Sequence, residues 1–359
     1  MVTPQTNTTL QEIAEQLKLL DDFVICGHVN PDGDCLGSQL GLYYSLTNMG
    51  KNVTCLLARN EPIDYGLRFL PGVDSMIPAC NFDDSFSVFI CVDVPTTERI
   101  GDAALIQKQA HNTFTIDHHA VDTRMSQFTY VDPDSPAAAL LVWELSGYLN
   151  ARSYEVAQCC LTGLITDTGR FAYQNTTPEA FSAAAEMMKW GASPSQINKE
   201  FFQNRSLASL KLEQIVLDRM SFFADGKFVV SYLMKKDFHA CNAIKADSEA
   251  LIDTLRSVRG VKVALILREN NNEEIRGSLR AKDNETNVAA VAKSFDGGGH
   301  KAAAGFTYHG KMDQAFKDVT REVLSHCFNQ TLTQDEISAI CNCAALDVSL
   351  QNDQGEVHG

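Results

Sequence analysis

The sequence predicts an α/β protein of two domains: an N-terminal parallel-sheet domain with helices on both faces, and a smaller C-terminal α/β domain. Three observations carry this expectation. Short, wholly apolar runs alternate with helical patterns through the first half, as in parallel sheets whose strands are covered on both sides. The texture changes near Trp190, and a second alternating unit follows. At 359 residues the chain is long for one core, which makes two domains the natural division. The boundaries read as a first domain 1–190, a helical linker 191–220, a second domain 221–328 and an acidic tail 329–359 without Lys or Arg from Gln330 onward.

Each element has its own local signal. Leu10, Ile13, Ala14, Leu17 and Leu20 recur at helical spacing, and Thr9 with Glu12 forms a capping-box pattern in front of them. Phe23 to Cys26 reads as a short buried strand, and Leu36 to Met49 as a helix ended by Gly50. Further strands are expected at Val53 to Leu57, Ser87 to Val92 and Thr113 to Ile116, with helical patterns near Leu105 and from Ala137 to Leu149. Gly191 to Pro194 breaks the pattern, and Arg205 to Arg219 reads as a helical connector. Beyond it, Lys227 to Leu233, Val261 to Arg268 and Glu274 to Arg280 read as strands, Asn287 to Lys293 as a helix, and the tail as one short helix before it frays.

With 45% hydrophobic and 21% charged residues the composition is that of a soluble globular protein. No apolar run has the length of a membrane span, and the first twenty residues lack a basic start and an apolar signal core, so a cytoplasmic protein without membrane contact is expected. Eleven cysteines without a regular framework read as buried free thiols. Cys341 and Cys343 are too little for a zinc site. A net charge of −15 argues against a binder of long duplexes, whose phosphates demand cations. Yet basic residues outnumber acidic ones between Arg205 and Arg321, so the second domain can hold a short anionic ligand.

Four clusters carry the chemistry. Gly27-His28-Val29-Asn30-Pro31-Asp32-Gly33-Asp34 follows a strand and precedes a helix. It puts one imidazole and two carboxylates on a loop that Pro31 and Gly33 can bend, although Asp34 reads equally well as a helix cap. Asp93 ends an apolar strand, followed by Val94 and Pro95. It is either a turn former or a site residue. Asp117-His118-His119 closes the next strand. Asp167 comes late on an otherwise apolar helix, where a carboxylate is costly unless exposed, hydrogen-bonded or bound to a cation. Open α/β sheets place ligands at the carboxyl ends of their strands, and convergence there points to a metal centre. Carboxylates mixed with imidazole suit manganese, with magnesium or iron as alternatives, and the lack of cysteine argues against structural zinc. Two metals sharing one carboxylate would activate a water for in-line displacement at phosphorus.

In this order, His28 to Asp34, Val92-Asp93, Asp117-His118-His119 and Asp167-Thr168-Gly169 resemble the successive motifs of the DHH phosphoesterase superfamily. Arg276-Gly-Ser-Leu-Arg280 and Gly297-Gly-Gly-His-Lys-Ala-Ala-Ala-Gly305 resemble its associated C-terminal substrate domain. The resemblance runs from Leu10 to Leu324 and leaves the tail unassigned. It implies two divalent ions, Mn2+ in the first place and Mg2+ as the alternative, with His28 and Asp32 on one, Asp34, His118 and Asp167 on the other, and Asp93 bridging. It also implies that His119 contacts the scissile phosphate or protonates the leaving oxygen, and that Asp117 orients a histidine. Arg276, Ser278, Arg280 and His300 would grip a phosphate or base, with Gly297, Gly298 and Gly299 letting backbone N–H groups approach it. A plain loop before a helix is the other reading of the glycine run.

The implied activity is hydrolysis of short oligoribonucleotides to mononucleotides and of 3′-phosphoadenosine 5′-phosphate (pAp) to AMP. The implied partners are those substrates or cyclic-dinucleotide products, and a second copy in a homodimer. A phosphodiesterase for cyclic di-AMP or its linear product would use the same ligands, and pyrophosphate hydrolysis would call for a more cationic site. A non-catalytic nucleotide-binding regulator would be free to lose Asp93 or His118, but all six ligands are present. Processive action on long strands is not expected without an aromatic-rich basic groove.

Overall fold

Alternate residues of β1 (Phe23–Cys26) face opposite ways and are all buried, Phe23 and Ile25 in one apolar cluster, Val24 and Cys26 in another. That is the signature of a strand covered on both faces. In the computed structural model, which describes residues 3–331 except Asp122, Asn272 and Asn284, β1 lies in the first of two units, up to Asn204. This unit runs α1 (Leu10–Leu19), β1, α2 (Gly33–Thr47), β2 (Val53–Leu57), β3 (Ile77–Pro78), β4 (Val88–Val92), α3 (Ala104–Gln107), β5 (Asn112–Asp117), β6 (Phe128–Val131), α4 (Ala138–Tyr148), α5 (Tyr154–Asp167), α6 (Pro178–Lys189) and α7 (Pro194–Ile197). The sheet is parallel throughout, in the order β3-β2-β1-β4-β5-β6. Its order reverses between β1 and β4, the place where doubly wound sheets open a ligand crevice.

The local signals explain the element ends. Thr9 and Glu12 form the expected capping box, the Thr9 N–H donating to Glu12 Oε2 at 2.9 Å and the Glu12 N–H to Thr9 Oγ1 at 3.1 Å. Helix α2 starts earlier than its apolar pattern, at Gly33, because Asp32 caps it. The edge strand β6 carries no strong sequence signal. Its outer edge is covered by the N-terminal segment, where Asn7 N–H donates to Thr129 O and Thr129 N–H to Asn7 Oδ1, which removes an exposed edge.

The second unit comprises α8 (Leu207–Asp218), β7 (Ser221–Phe223), β8 (Phe228–Leu233), α9 (Lys235–Cys241), α10 (Leu251–Ser257), β9 (Val263–Asn271), β10 (Glu274–Ala281), α11 (Val288–Lys293), β11 (Gly298–His300), β12 (Ala303–His309) and α12 (Met312–Phe328). Its mixed sheet has the order β11-β12-β10-β9-β8-β7, with β8 and β9 parallel and the other pairs antiparallel. Ile275, Leu279 and Ala281 of β10 face the core built with α11 and α12. Arg276, Ser278 and Arg280 alternate with them and therefore take the other face.

Residues 191–220, expected as a linker, divide between the units. Ile197 of α7 is fully buried in the first core, and Leu212 and Val216 of α8 are fully buried against Val229 and Ile266 in the second. The helical spacing was legible, but its packing partners are remote in sequence. The acidic tail beyond residue 331, with its expected short helix, lies outside the described residues.

Candidate metal centre

Three consecutive strands of the first sheet deliver the site. The loop after β1 carries His28 and Asp32, the turn after β4 carries Asp93, and the end of β5 carries Asp117, His118 and His119. Asp93 adopts a left-handed backbone, φ 52°, which Asp tolerates better than most residues. Its N–H donates to Ile116 O at 3.0 Å, fixing the turn to β5. Asp34 and Asp167 arrive from α2 and α5, which pack closely because Gly163 has no side chain. A Cβ there would lie 2.5 Å from Ala139 Cβ and 2.7 Å from Asp34 Oδ1.

All six expected metal ligands come together. Asp93, 2% exposed, turns Oδ2 to His28 Nε2 at 3.5 Å and Oδ1 to His118 Nε2 at 3.4 Å. Asp32 Oδ1 lies 3.8 Å from His28 Nε2. On the other side, His118 Nε2 is 3.7 Å from Asp34 Oδ2 and 3.9 Å from Asp167 Oδ2. Two donor groups thus share one carboxylate. The imidazoles are oriented by carbonyls, which only accept. The His28 Nδ1–H donates to Val29 O at 2.9 Å and the His118 Nδ1–H to Ser135 O at 3.2 Å, leaving each Nε2 toward the carboxylates. His119 is held by a carboxylate: its Nδ1–H donates to Asp117 Oδ1 at 2.8 Å.

Helix capping and a place in the cluster are not exclusive here. Asp32 caps α2, accepting from the N–H groups of Asp34 and Cys35 at 3.1 and 3.0 Å. Asp34 caps a different helix, its Oδ2 and Oδ1 accepting from the N–H groups of Ala138 and Ala139 at the start of α4, at 2.7 and 2.9 Å. A cysteine that was not among the expected ligands also lies close by. The Cys35 thiol lies within 4.8 Å of donor atoms of His28 and Asp93 and accepts the His28 backbone N–H at 3.2 Å. The helix expected from the sequence begins only at Leu36, so no local signal marks the place of Cys35.

The electrostatics fit a cation. Asp93 Oδ1 is buried without a hydrogen-bond partner, an arrangement that is costly unless something else satisfies it. Burial, then the charges of Asp93 and Asp167, push the Asp34 carboxyl well above its ordinary range. Burial likewise raises Asp167 to about 7. Burial would raise Asp93 too, but His118 and His28 hold it far below the usual carboxylate range. Burial disfavours charge on His118 and His28, yet their acidic neighbours hold both well above the usual imidazole range. A cluster that must otherwise take up protons to relieve its own repulsion is a cluster suited to divalent ions.

In the second unit, Arg276 is exposed and Ser278 and Arg280 are half-buried on one sheet face. The glycine run is not a loop: Gly298 to His300 form strand β11 against β12. A Cβ on Gly297 would lie 2.4 Å from Gly305 O, and one on Gly299 2.4 Å from Ala303 O, while one on Gly298 meets nothing within 4 Å. Gly297 and Gly299 are therefore required by strand packing, and only Gly298 borders open space. The side chain of His300 lies outside the described residues. Sequence reasoning missed Arg268 of β9, which is 6% exposed and donates to Ser278 Oγ.

Residues 22–164 match the model of the DHH family, N-terminal domain, and residues 225–325 that of the DHHA1 domain. The bifunctional oligoribonuclease and PAP phosphatase NrnA of Thermus thermophilus is 31% identical over 87% of this chain and 92% of that protein. NrnA of Bacillus subtilis is 26% identical over 82% and 91%. Among solved structures, an exopolyphosphatase-related protein from Bacteroides fragilis superimposes with a TM-score of 0.82 at 28% identity, covering 88% of this chain and 95% of that one. RecJ of Thermus thermophilus, solved in complex with Mn2+, shares the fold at a TM-score of 0.55 and 13% identity, over 96% of this chain and 60% of its own. Among the described residues no helix is long and apolar enough to cross a membrane. Motif, fold and relatives agree that this chain belongs to the DHH family, with a DHHA1 domain following its N-terminal DHH domain.

Proposed function

We propose that the chain is a metal-dependent phosphoesterase that hydrolyses short oligoribonucleotides to mononucleotides and pAp to AMP, using two divalent ions, Mn2+ by preference. The observation that carries this reading is Asp93, whose two oxygens each face a separate imidazole, one of them without any hydrogen-bond partner. His28 and Asp32 would hold one ion, Asp34, His118 and Asp167 the other, and Asp93 both. Bound there, the ions would supply an activated water and charge neutralisation at phosphorus.

The protein's own groups do the rest. Asp117 keeps a proton on His119 Nδ1 at 2.8 Å and favours the imidazolium, burial notwithstanding, which suits His119 to give a proton to the leaving oxygen. Arg276, Ser278 and Arg280 offer donors to a phosphate on one face of the second sheet. The names of the relatives support the substrates. Product analysis with Mn2+ across a dinucleotide, a longer oligonucleotide, pAp and cyclic di-AMP tests the reading. Mononucleotides from the dinucleotide and AMP from pAp are expected at the highest kcat/KM. Turnover of cyclic di-AMP alone would overturn it.

A further inference from the structure

Arg268 is a buried cation without a matching buried anion. It sits on β9 in register with Arg276 of β10, and its neighbour Ile266 is in register with Ser278, so all of them share one sheet face. Only 6% of it is exposed. Its NH1 donates to Ser248 O at 3.4 Å and Ser248 Oγ at 3.3 Å and pairs with Glu249 Oε2 at 2.9 Å, while NH2 donates to Ser278 Oγ at 2.5 Å. Glu249 is itself 52% exposed, and Arg268 Nε is buried without a hydrogen-bond partner. Such burial costs several kcal/mol unless compensated, which is a reason to look for a role beyond tying β9 to β10.

Guanidinium has donors and no acceptor. At the Arg268 contact, therefore, Ser278 Oγ can only accept. Its own O–H is left to donate, and none of the described residues accepts it. A hydroxyl beside a carbonyl or carboxylate would instead spend its proton there and present lone pairs, which repel phosphate. Arg276 and Arg280 lie two residues to either side on the same face. We infer that Arg268 is a positioning residue that engages a lone pair of Ser278 Oγ and leaves its O–H directed to donate, so that this face favours an anionic phosphate oxygen. The inference rests on the reading of this face as the phosphate grip.

The test uses the full chain with Mn2+ and four proteins: wild type, Ser278→Ala, Arg268→Met and the double variant. KM and kcat for pAp and the Kd for AMP are the readouts. Loss of a donor to a charged phosphate corresponds to roughly tenfold or more in KM and Kd, with a much smaller fall in kcat. If Arg268 acts through Ser278, the double variant is no worse than Ser278→Ala alone. Multiplying effects in the double variant overturn the inference, as does a wild-type KM in Arg268→Met. Should Arg268→Met fail to fold, Arg268→Gln carries the test, since an amide can accept from Ser278 and no longer enforces the polarity. A raised KM is expected there, and a wild-type KM overturns the inference. Unchanged KM and Kd in Ser278→Ala would overturn the phosphate-grip reading itself, whereas an effect of Ser278→Ala without one of Arg268 would overturn only the role of Arg268.

Discussion

The contact between Asp117 and His119 makes a quantitative claim. Asp117 is 1% exposed and its Oδ1 accepts from His119 Nδ1 at 2.8 Å. Burial works against a charged His119, and Asp117 more than offsets it, so the imidazole titrates above its ordinary value. Replacing Asp117 by Asn keeps the shape and an acceptor oxygen but removes the charge. A charge-assisted bond contributes about 1.5–3 kcal/mol, equivalent to about 1–2 pH units. His119 is 21% exposed and Asp93 Oδ1 also lies 3.7 Å from its Nδ1, so the smaller figure, about one unit, is expected. If protonated His119 serves the leaving oxygen, the alkaline limb of kcat for AMP release from pAp moves about one unit toward acid in Asp117→Asn. Stability of the metal-free protein gives an independent check. A histidine raised in the folded state contributes stability that is complete below about pH 6.5 and lost as pH rises through its folded value. The variant should therefore be weakened on the acid side and match the wild type at alkaline pH. A uniform fall in kcat with an unmoved alkaline limb would refute the reasoning.

Three further outcomes follow from the geometry. Asp34→Ala strips the acceptor from the fully buried Ala138 and Ala139 N–H groups, and urea unfolding in chelator should show a loss of about 1–3 kcal/mol; equal stability would contradict its role as the cap of α4. Asp167, raised by burial from 3.8 to about 7, opposes folding once ionised, a cost absent below about pH 4 and complete above about pH 7. The Tm of the metal-free protein should fall through that window, the fall should flatten in Asp167→Asn, and an identical slope in the variant would count against it. Gly297→Ala must push against Gly305 O and Phe306 and should cost about 1–3 kcal/mol, whereas Gly298→Ala should leave stability within about 0.5 kcal/mol and raise KM for pAp; the reverse ranking in unfolding experiments would refute the assignment.

The candidate metal centre was legible because several of its residues carry a local conflict that the sequence exposes. Asp93 follows the wholly apolar β4, His118 follows the end of β5, and Asp167 ends a largely apolar helix. What holds those ligands in place was not legible, because it comes from backbone and from distant segments. Ser135 O orients His118, Val29 O orients His28, and the N–H groups of Ala138 and Ala139 hold Asp34 from about a hundred residues away. The sequence also cannot say that a strand arginine points at a serine on its neighbour, which is why Arg268 carried no signal beyond its place in the expected strand. The strand role of the glycine run was not legible for a related reason. Crowding against β12 requires Gly297 and Gly299, and that crowding depends on a hairpin the local pattern does not announce.

Asp93 is proposed to join two cation sites. The decisive measurement is the manganese content of the full chain after equilibration with Mn2+, wild type beside Asp93→Ala. Two ions per chain in the wild type and loss of both in the variant are predicted, since each Asp93 oxygen faces a different imidazole. A single ion in the wild type, or the full complement retained in Asp93→Ala, would contradict it.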